Sequence, residues 1–286
     1  MNLPEDIGRT HPHLEGDLPF VLSSHSVRIL KALSQLRVGE YRRSRPVCLH
    51  IAAAAGSGKS RLLNHYMSQV SAVREATGSR YREAILIEAP YDGNCMKMCR
   101  SIINACLPGF PIRKTQNIHE QVADVLQASG VKQLLIDEAG HILNAGKSGQ
   151  QYTLALIKSI CNLGITVCIA TTRNMVNALA ADEQLASRFK RVELPVWSES
   201  NEFRQFLAGI EVELKLPERS HLDSKTMIRW LTAHDCCVTF RLLHAEPTKP
   251  TADRYNISHN VYYVRRVWAR LAQSLPRPLA LLWHGA

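Results

Sequence analysis

The chain has 286 residues, 45% of them hydrophobic and 21% charged, and a formal net charge of +10. That length suits one large domain with appendages or two smaller ones, and the composition excludes a disordered or low-complexity chain. No apolar run nears the roughly 18–20 residues that span a bilayer, so no membrane-spanning helix is expected; the positive balance favours a polyanionic partner, nucleic acid before an anionic membrane surface, with a merely soluble basic surface as the alternative.

The amino-terminal MNLPEDIGRT has no basic segment followed by an apolar one, so no signal peptide is expected and a cytoplasmic location is. Residues 1–22, rich in Pro, His and Gly and without period, read as an extended arm. Val27, Leu30, Leu33 and Leu36 then predict an amphipathic helix from Ser26, with Ser24 or Ser26 as its cap. Its polar side and the following loop carry Arg28, Lys31, Arg37, Arg42, Arg43 and Arg45, either a solvated basic face or a phosphate-contacting one.

The most informative stretch is Val47 to Arg61, VCLHIAAAAGSGKSR. Val47, Leu49 and Ile51 read as a buried strand, Ala53-Ala54-Ala55-Gly56-Ser57-Gly58 as a small-residue turn, and Lys59-Ser60-Arg61 as the opening of a helix. This is the strand–loop–helix context of a phosphate-binding P-loop, whose backbone N–H groups converge on an anion. In such a loop Lys59 reaches the β- and γ-phosphates of ATP and the Ser60 hydroxyl ligates Mg²⁺. The usual pattern starts with Gly where this chain has Ala53, which is tolerable if the backbone there keeps a negative φ.

Downstream, Glu83–Glu88 is predicted as a second strand, 96–107 and 118–126 as helices, and 131–136 as a third strand. A helix over 152–161, a fourth strand over 165–170, a helix over 183–189 and a short fifth strand over 191–194 complete the alternation. Strands alternating with helices predict a parallel sheet covered on both faces, an α/β core over 23–196. Beyond Pro195-Val196-Trp197 only helical patterns remain, at 198–213, 222–233 and 259–274, so 197–286 reads as a helical lid and tail. Cys48, Cys106, Cys161 and Cys168 lie in apolar patterns and read as core residues. Cys95 and Cys99 stand four apart on a predicted helix, but no second Cys or His pair follows at zinc spacing, so no metal site is expected there.

Three further signals surround the P-loop. Leu134-Leu135-Ile136-Asp137-Glu138 is an apolar strand ending in two acids, the Walker B pattern. Asp137 is expected to hold the Mg²⁺ shell from beside the P-loop strand, and Glu138 to orient and activate the attacking water. At the end of the fourth strand a polar residue can meet the γ-phosphate; Thr172 is the choice and Thr171 the near alternative. In Ser187-Arg188-Phe189-Lys190-Arg191, Arg188 is the candidate arginine finger acting on a neighbouring subunit, with Arg191 the alternative.

From about residue 25 to 245 the chain resembles the transposition AAA+ ATPases of the TniB/TnsC/MuB kind, TniB most of all. The residues carrying the resemblance are the P-loop ending Gly58-Lys59-Ser60, the strand ending Ala89-Pro90, and LLIDEAGHIL at 134–143. Lys158 with Asn162, LASRFKRVELPVW at 185–197 and the Leu216-Pro217 segment up to Leu222 complete it. The resemblance implies a P-loop AAA+ core with a five-stranded parallel sheet followed by a helical lid. It further implies slow, assembly-coupled ATP hydrolysis, an oligomer (filament or ring) on double-stranded DNA, target selection, and stimulation of a DDE transposase. In some members a TniQ-like protein sets the target.

His234-Asp235-Cys236-Cys237-Val238-Thr239-Phe240-Arg241 departs from the family's glycine-containing start of the last lid helix, and leaves Arg241 as the candidate sensor-2 arginine at ATP. DNA contacts of such oligomers track phosphates, which points to Lys147, in the loop following the Walker B helix, and to Arg173. A helicase loader or replication-initiator-like ATPase is the alternative within DNA-binding ATPases. A small-molecule P-loop kinase is the alternative outside them, disfavoured by the helical carboxy-terminal third.

Overall fold

Four short apolar runs, buried for most of their length, hydrogen-bond side by side in the pattern of parallel strands, and a fifth, charged and partly exposed strand completes the sheet at one edge. They are β1 (Cys48–Ala53), β2 (Ala84–Glu88), β3 (Gln133–Asp137), β4 (Thr166–Thr171) and β5 (Phe189–Leu194). The computed structural model describes residues 20–112, 117–172, 175–214 and 221–233. The chain divides into two compact units at Val21/Leu22 and at Val196/Trp197.

In the larger unit the strand order is β2-β3-β4-β1-β5, with every pairing parallel. The expected five-stranded parallel sheet is therefore present, with one correction. The acid-bearing β3 is not beside the P-loop strand β1; β4 lies between them, paired with both. All five strands point the same way, so Ala53, Glu88, Asp137, Thr171 and Leu194 end at one edge.

Alternation along the strands splits the core in two. Ile85, Ile87, Leu134, Ile136, Val167 and Ile169 face α3 (Cys95–Cys106), α4 (Ile118–Ala128) and α5 (Lys147–Asn162). Leu135 and Cys168 fall on the opposite face, toward α1 (Ser24–Gly39) and α2 (Lys59–Thr77). Fully burying one such Leu or Ile side chain contributes about 1.5–3 kcal/mol, so the sheet sandwich is the main source of cohesion. Two short helices, α6 (Val176–Ala180) and α7 (Glu183–Arg188), lead into β5.

Local chemistry moved several boundaries. The cap of α1 is Ser23, not Ser24 or Ser26: its side chain accepts from Ser26 N while the Ser26 hydroxyl accepts from Ser23 N, a capping box. The α5 helix starts at Lys147, five residues before its apolar period, because its first turn carries exposed polar residues and one small one. On the predicted basic face Arg37 is not available to a partner; its guanidinium is spent on Tyr66 Oη and Glu83.

In the smaller unit α8 (Asn201–Leu214) and α9 (Lys225–Ala233) share a core of Phe203, Phe206, Leu207, Ile210, Met227, Ile228 and Leu231. Trp197 stacks on Phe203 and Phe206, with ring centroids 5.3 and 4.7 Å away. Residues 1–19 of the expected arm, 216–220 of the Leu-Pro segment, Arg173, the 234–241 stretch with Arg241, and the helix expected over 259–274 lie outside the described residues. Among the described residues no helix is long and apolar enough to cross a membrane.

A candidate nucleotide-binding site

The loop between β1 and α2 is built from backbone conformations that only some residues accept. Gly56 has φ +72° and Gly58, the residue that caps α2, φ +88°, a region where a Cβ is strained. Ala53 is instead the last residue of β1, fully within the sheet and paired with Leu194. None of Ala53, Ala54 or Ala55 has a positive φ, so the alanine at the first loop position costs nothing.

Two features mark the loop as an anion cradle. The Ser57 hydroxyl is buried and has no hydrogen-bond partner, an uncompensated polar atom at the mouth of a helix. Lys59, only 5% exposed, folds back so that its ammonium donates to Ala54 O at 3.0 Å. Burial lowers the Lys59 pKa, and Glu138 and Asp137 pull it the other way, so both acids lie within electrostatic reach of the ammonium. Ser60 is exposed at the first turn of α2, and Arg61 follows it, half-buried. These residues fit the phosphates of a nucleotide, and oxygen donors from Ser60 and Asp137 suit a hard cation such as Mg²⁺.

The end of β3 supplies the acids. Asp137 is buried and its Oδ1 accepts from Glu138 N at 2.8 Å, which folds the chain sharply after the strand. Glu138 takes up a left-handed conformation (φ 47°, ψ 34°) and leads into a tight 3₁₀ turn, Ala139–Asn144. A glutamate held there is strained by about 1 kcal/mol or more, and such strain collects at functional positions. Packing holds it: Ala139 and Ile142, which follow, are buried in the core.

Thr172 stands over this turn, since a Cβ added to Gly140 would meet its Oγ1 at 3.7 Å. Thr171 is differently employed. Its hydroxyl is fully buried and bonds His50 Nε2 at 2.6 Å, across the β1–β4 pairing. His50 carried no signal in the sequence beyond a polar residue in an apolar run. Burial first, then the Arg191 charge, pushes its pKa down to about 4, so it is neutral at physiological pH.

The two arginines before and in β5 differ in surroundings. Arg188 is 8% exposed; its Nη2 donates to Asn162 Oδ1 at 2.9 Å and its Nη1 has no partner. Nearby, Lys158 pairs with Asp182, the residue that caps α7. Thus Lys158 and Asn162 both tie α5 to α7, and Arg188 faces inward rather than out toward a neighbour. Arg191 is exposed and paired with Glu193. Lys147, expected in a loop, is the exposed first residue of α5.

Among solved structures the chain is similar to the ORC1 protein of Aeropyrum pernix in complex with DNA, with TM-score 0.56 and 15% identity over 92% of this chain and 72% of that one. It is also similar to the Aeropyrum pernix ORC2 protein (ADPNP–ADP complexes), with TM-score 0.52 and 17% identity over 73% of this chain. The match spans 57% of the ORC2 chain's length. At such identities the likeness is one of fold, that of the AAA+ core. No curated protein matches the chain. The family described as Bacterial TniB protein matches residues 19–199, well over half of the sequence, and the chain, whose core has the AAA+ fold, belongs to that TniB family.

Proposed function

We propose that this chain is a regulator of DNA transposition, an ATPase that assembles on double-stranded DNA in the ATP-bound state and delivers that DNA to a DDE transposase. What carries the reading is the convergence, in a TniB-family chain, of the P-loop, Asp137-Glu138 and Thr172 at one edge of the sheet. Ala53 to Arg61 hold the phosphates, Lys59 meeting the β- and γ-positions. Ser60 and Asp137 ligate Mg²⁺, which supplies charge neutralisation at the phosphates. Glu138 orients the water that attacks, and Thr172 contacts the γ-phosphate. Arg241, outside the described residues, is the candidate sensor-2 arginine at ATP. Hydrolysis is slow and serves to take the assembly apart.

Arg188 is the residue proposed to act on a neighbour's nucleotide, which requires its release from Asn162; Arg191, already at the surface, is the alternative. Head-to-tail contacts of this kind build filaments when they do not close into rings. Lys147 and Arg173 contact DNA phosphates without reading sequence, and a TniQ-like protein is the expected targeting partner.

The test is electron microscopy of the full chain with linear duplex DNA. ATP and Mg²⁺ are expected to yield DNA-bound oligomers, lost in Lys59→Ala and persistent in Glu138→Gln, with affinity falling steeply as salt is added. Monomeric protein under all these conditions, or a flat salt response, refutes the assembly. Arg188→Ala and Arg191→Ala then divide the finger role: the correct one retains ATP binding and loses hydrolysis.

A further inference from the structure

A second chemically distinct cluster lies away from the nucleotide edge, where α3 packs against α4. Cys95 opens α3, Cys99 follows one turn later on the same side, and His119 stands in the first turn of α4. The packing of the two helices brings together what the sequence leaves twenty residues apart. The two sulfurs and an imidazole nitrogen all lie within 4.8 Å of one another, with Cys95 Sγ 3.6 Å from His119 Nε2.

We propose that Cys95, Cys99 and His119 form a binding site for a soft transition-metal ion, Zn²⁺ first, with its fourth position open to water. Zn–S and Zn–N bonds of about 2.3 and 2.0–2.1 Å put ligand atoms about 3.5–3.8 Å apart on a shared tetrahedral ion. The Cys95–His119 separation already has that value, and the widest pair closes by about 1 Å through side-chain rotation. Cys99 is buried while Cys95 and His119 are half-buried, so the site has a floor of core packing and a route for the ion. Two thiolates neutralise the dication, and binding releases the thiol protons while His119 ligates in its neutral form.

The donor set also separates this site from the nucleotide edge. Sulfur and imidazole ligands select Zn²⁺ or Cu⁺ and reject Mg²⁺, whereas Ser60 and Asp137 offer only oxygen. An ion here staples α3 to α4. The staple sits next to Gly93, where an added Cβ would meet His141 O, in the turn after Glu138, at 2.7 Å. The α3 end of the clamp is thus continuous with the wall of the acid pair.

The test is titration of the reduced, chelator-stripped full chain with Co²⁺ under anaerobic conditions. The expected result is one equivalent bound, with a sulfur-to-cobalt charge-transfer band and the intense visible bands of tetrahedral Co²⁺, all displaced by one equivalent of Zn²⁺. Cys95→Ser and His119→Ala, both at half-buried positions and each checked by circular dichroism, should weaken binding about tenfold or more. Zn²⁺ should raise the melting temperature of the parent chain and leave His119→Ala unmoved. No binding, the faint spectrum of octahedral Co²⁺, or binding unaffected by both substitutions overturns the assignment.

Discussion

Replacing His50 with Gln tests the electrostatics of the sheet that carries the site. His50 is 2% exposed, bonded to Thr171, and its pKa in the fold is about 4 against 6.5 for an exposed imidazole. A depressed folded pKa means the unfolded chain takes up the proton first as pH falls. The contribution of neutral His50 is therefore fully present above pH 6.5 and is lost progressively as pH drops toward 4. Linkage between these two values makes the loss about 2 kcal/mol at pH 5 and about 3 kcal/mol once pH passes the folded value. Gln keeps a polar group within reach of Thr171 but does not titrate. Urea unfolding at pH 7 and pH 5 should show the parent chain losing about 2 kcal/mol more than His50→Gln over that interval. Glu83 and Asp182, whose pKa values are lowered by their ion pairs and hydrogen bonds, titrate in both proteins and cancel in the comparison, as do the other groups Gln leaves in place. Equal losses in the two proteins would refute the claim that His50 is held neutral by burial.

Glu138→Gly should raise unfolding free energy by about 1 kcal/mol relative to Glu138→Ala, because only glycine relaxes the left-handed backbone, while both lose ATP hydrolysis and keep nucleotide binding. Matching stabilities of the two variants would show that the turn carries no strain. Asn162→Ala should cost about 2 kcal/mol in urea unfolding, since it removes the Oδ1 acceptor from the buried Arg188 guanidinium, whose Nη1 already has no partner. A loss below about 0.5 kcal/mol would mean that Arg188 finds solvent or a new partner instead.

The parts of this molecule legible in the sequence are those whose signal is local. Four apolar runs bounded by Gly, Pro and acids announce β1 to β4, and the small-residue turn before Lys59-Ser60 announces the cradle. Apolar period alone places α3 and α4 within a residue or two, but it is silent on the solvent-facing first turn of α5. What the sequence does not disclose is long-range. Nothing near Asp137 says that β4 will intervene before β1, because strand order follows from crossovers rather than composition. His50 and Thr171 are 121 positions apart, and their pairing exists only once β1 and β4 align. Cys95 and Cys99 seem to lack partners until α4 docks and presents His119. Arg188 reads as a candidate finger from its place just before the last core strand; that its guanidinium is buried and bonded to Asn162, 26 positions earlier, is not written near it.

The strand order also sets a timetable for synthesis. Among the described residues the strand preceding the cradle, β1, pairs with β4 and β5 alone, which are encoded more than a hundred residues later. On a ribosome adding about 5–20 residues per second, β1 emerges and waits roughly ten seconds for its first neighbour. During that wait β2 and β3 are completed and can pair with each other. The acids of β3 are thus in hand before the phosphate loop has a sheet to stand on. Only when β4 has emerged can it bridge β1 to β3, so the phosphate loop and Asp137 are brought to one sheet late and nearly at once.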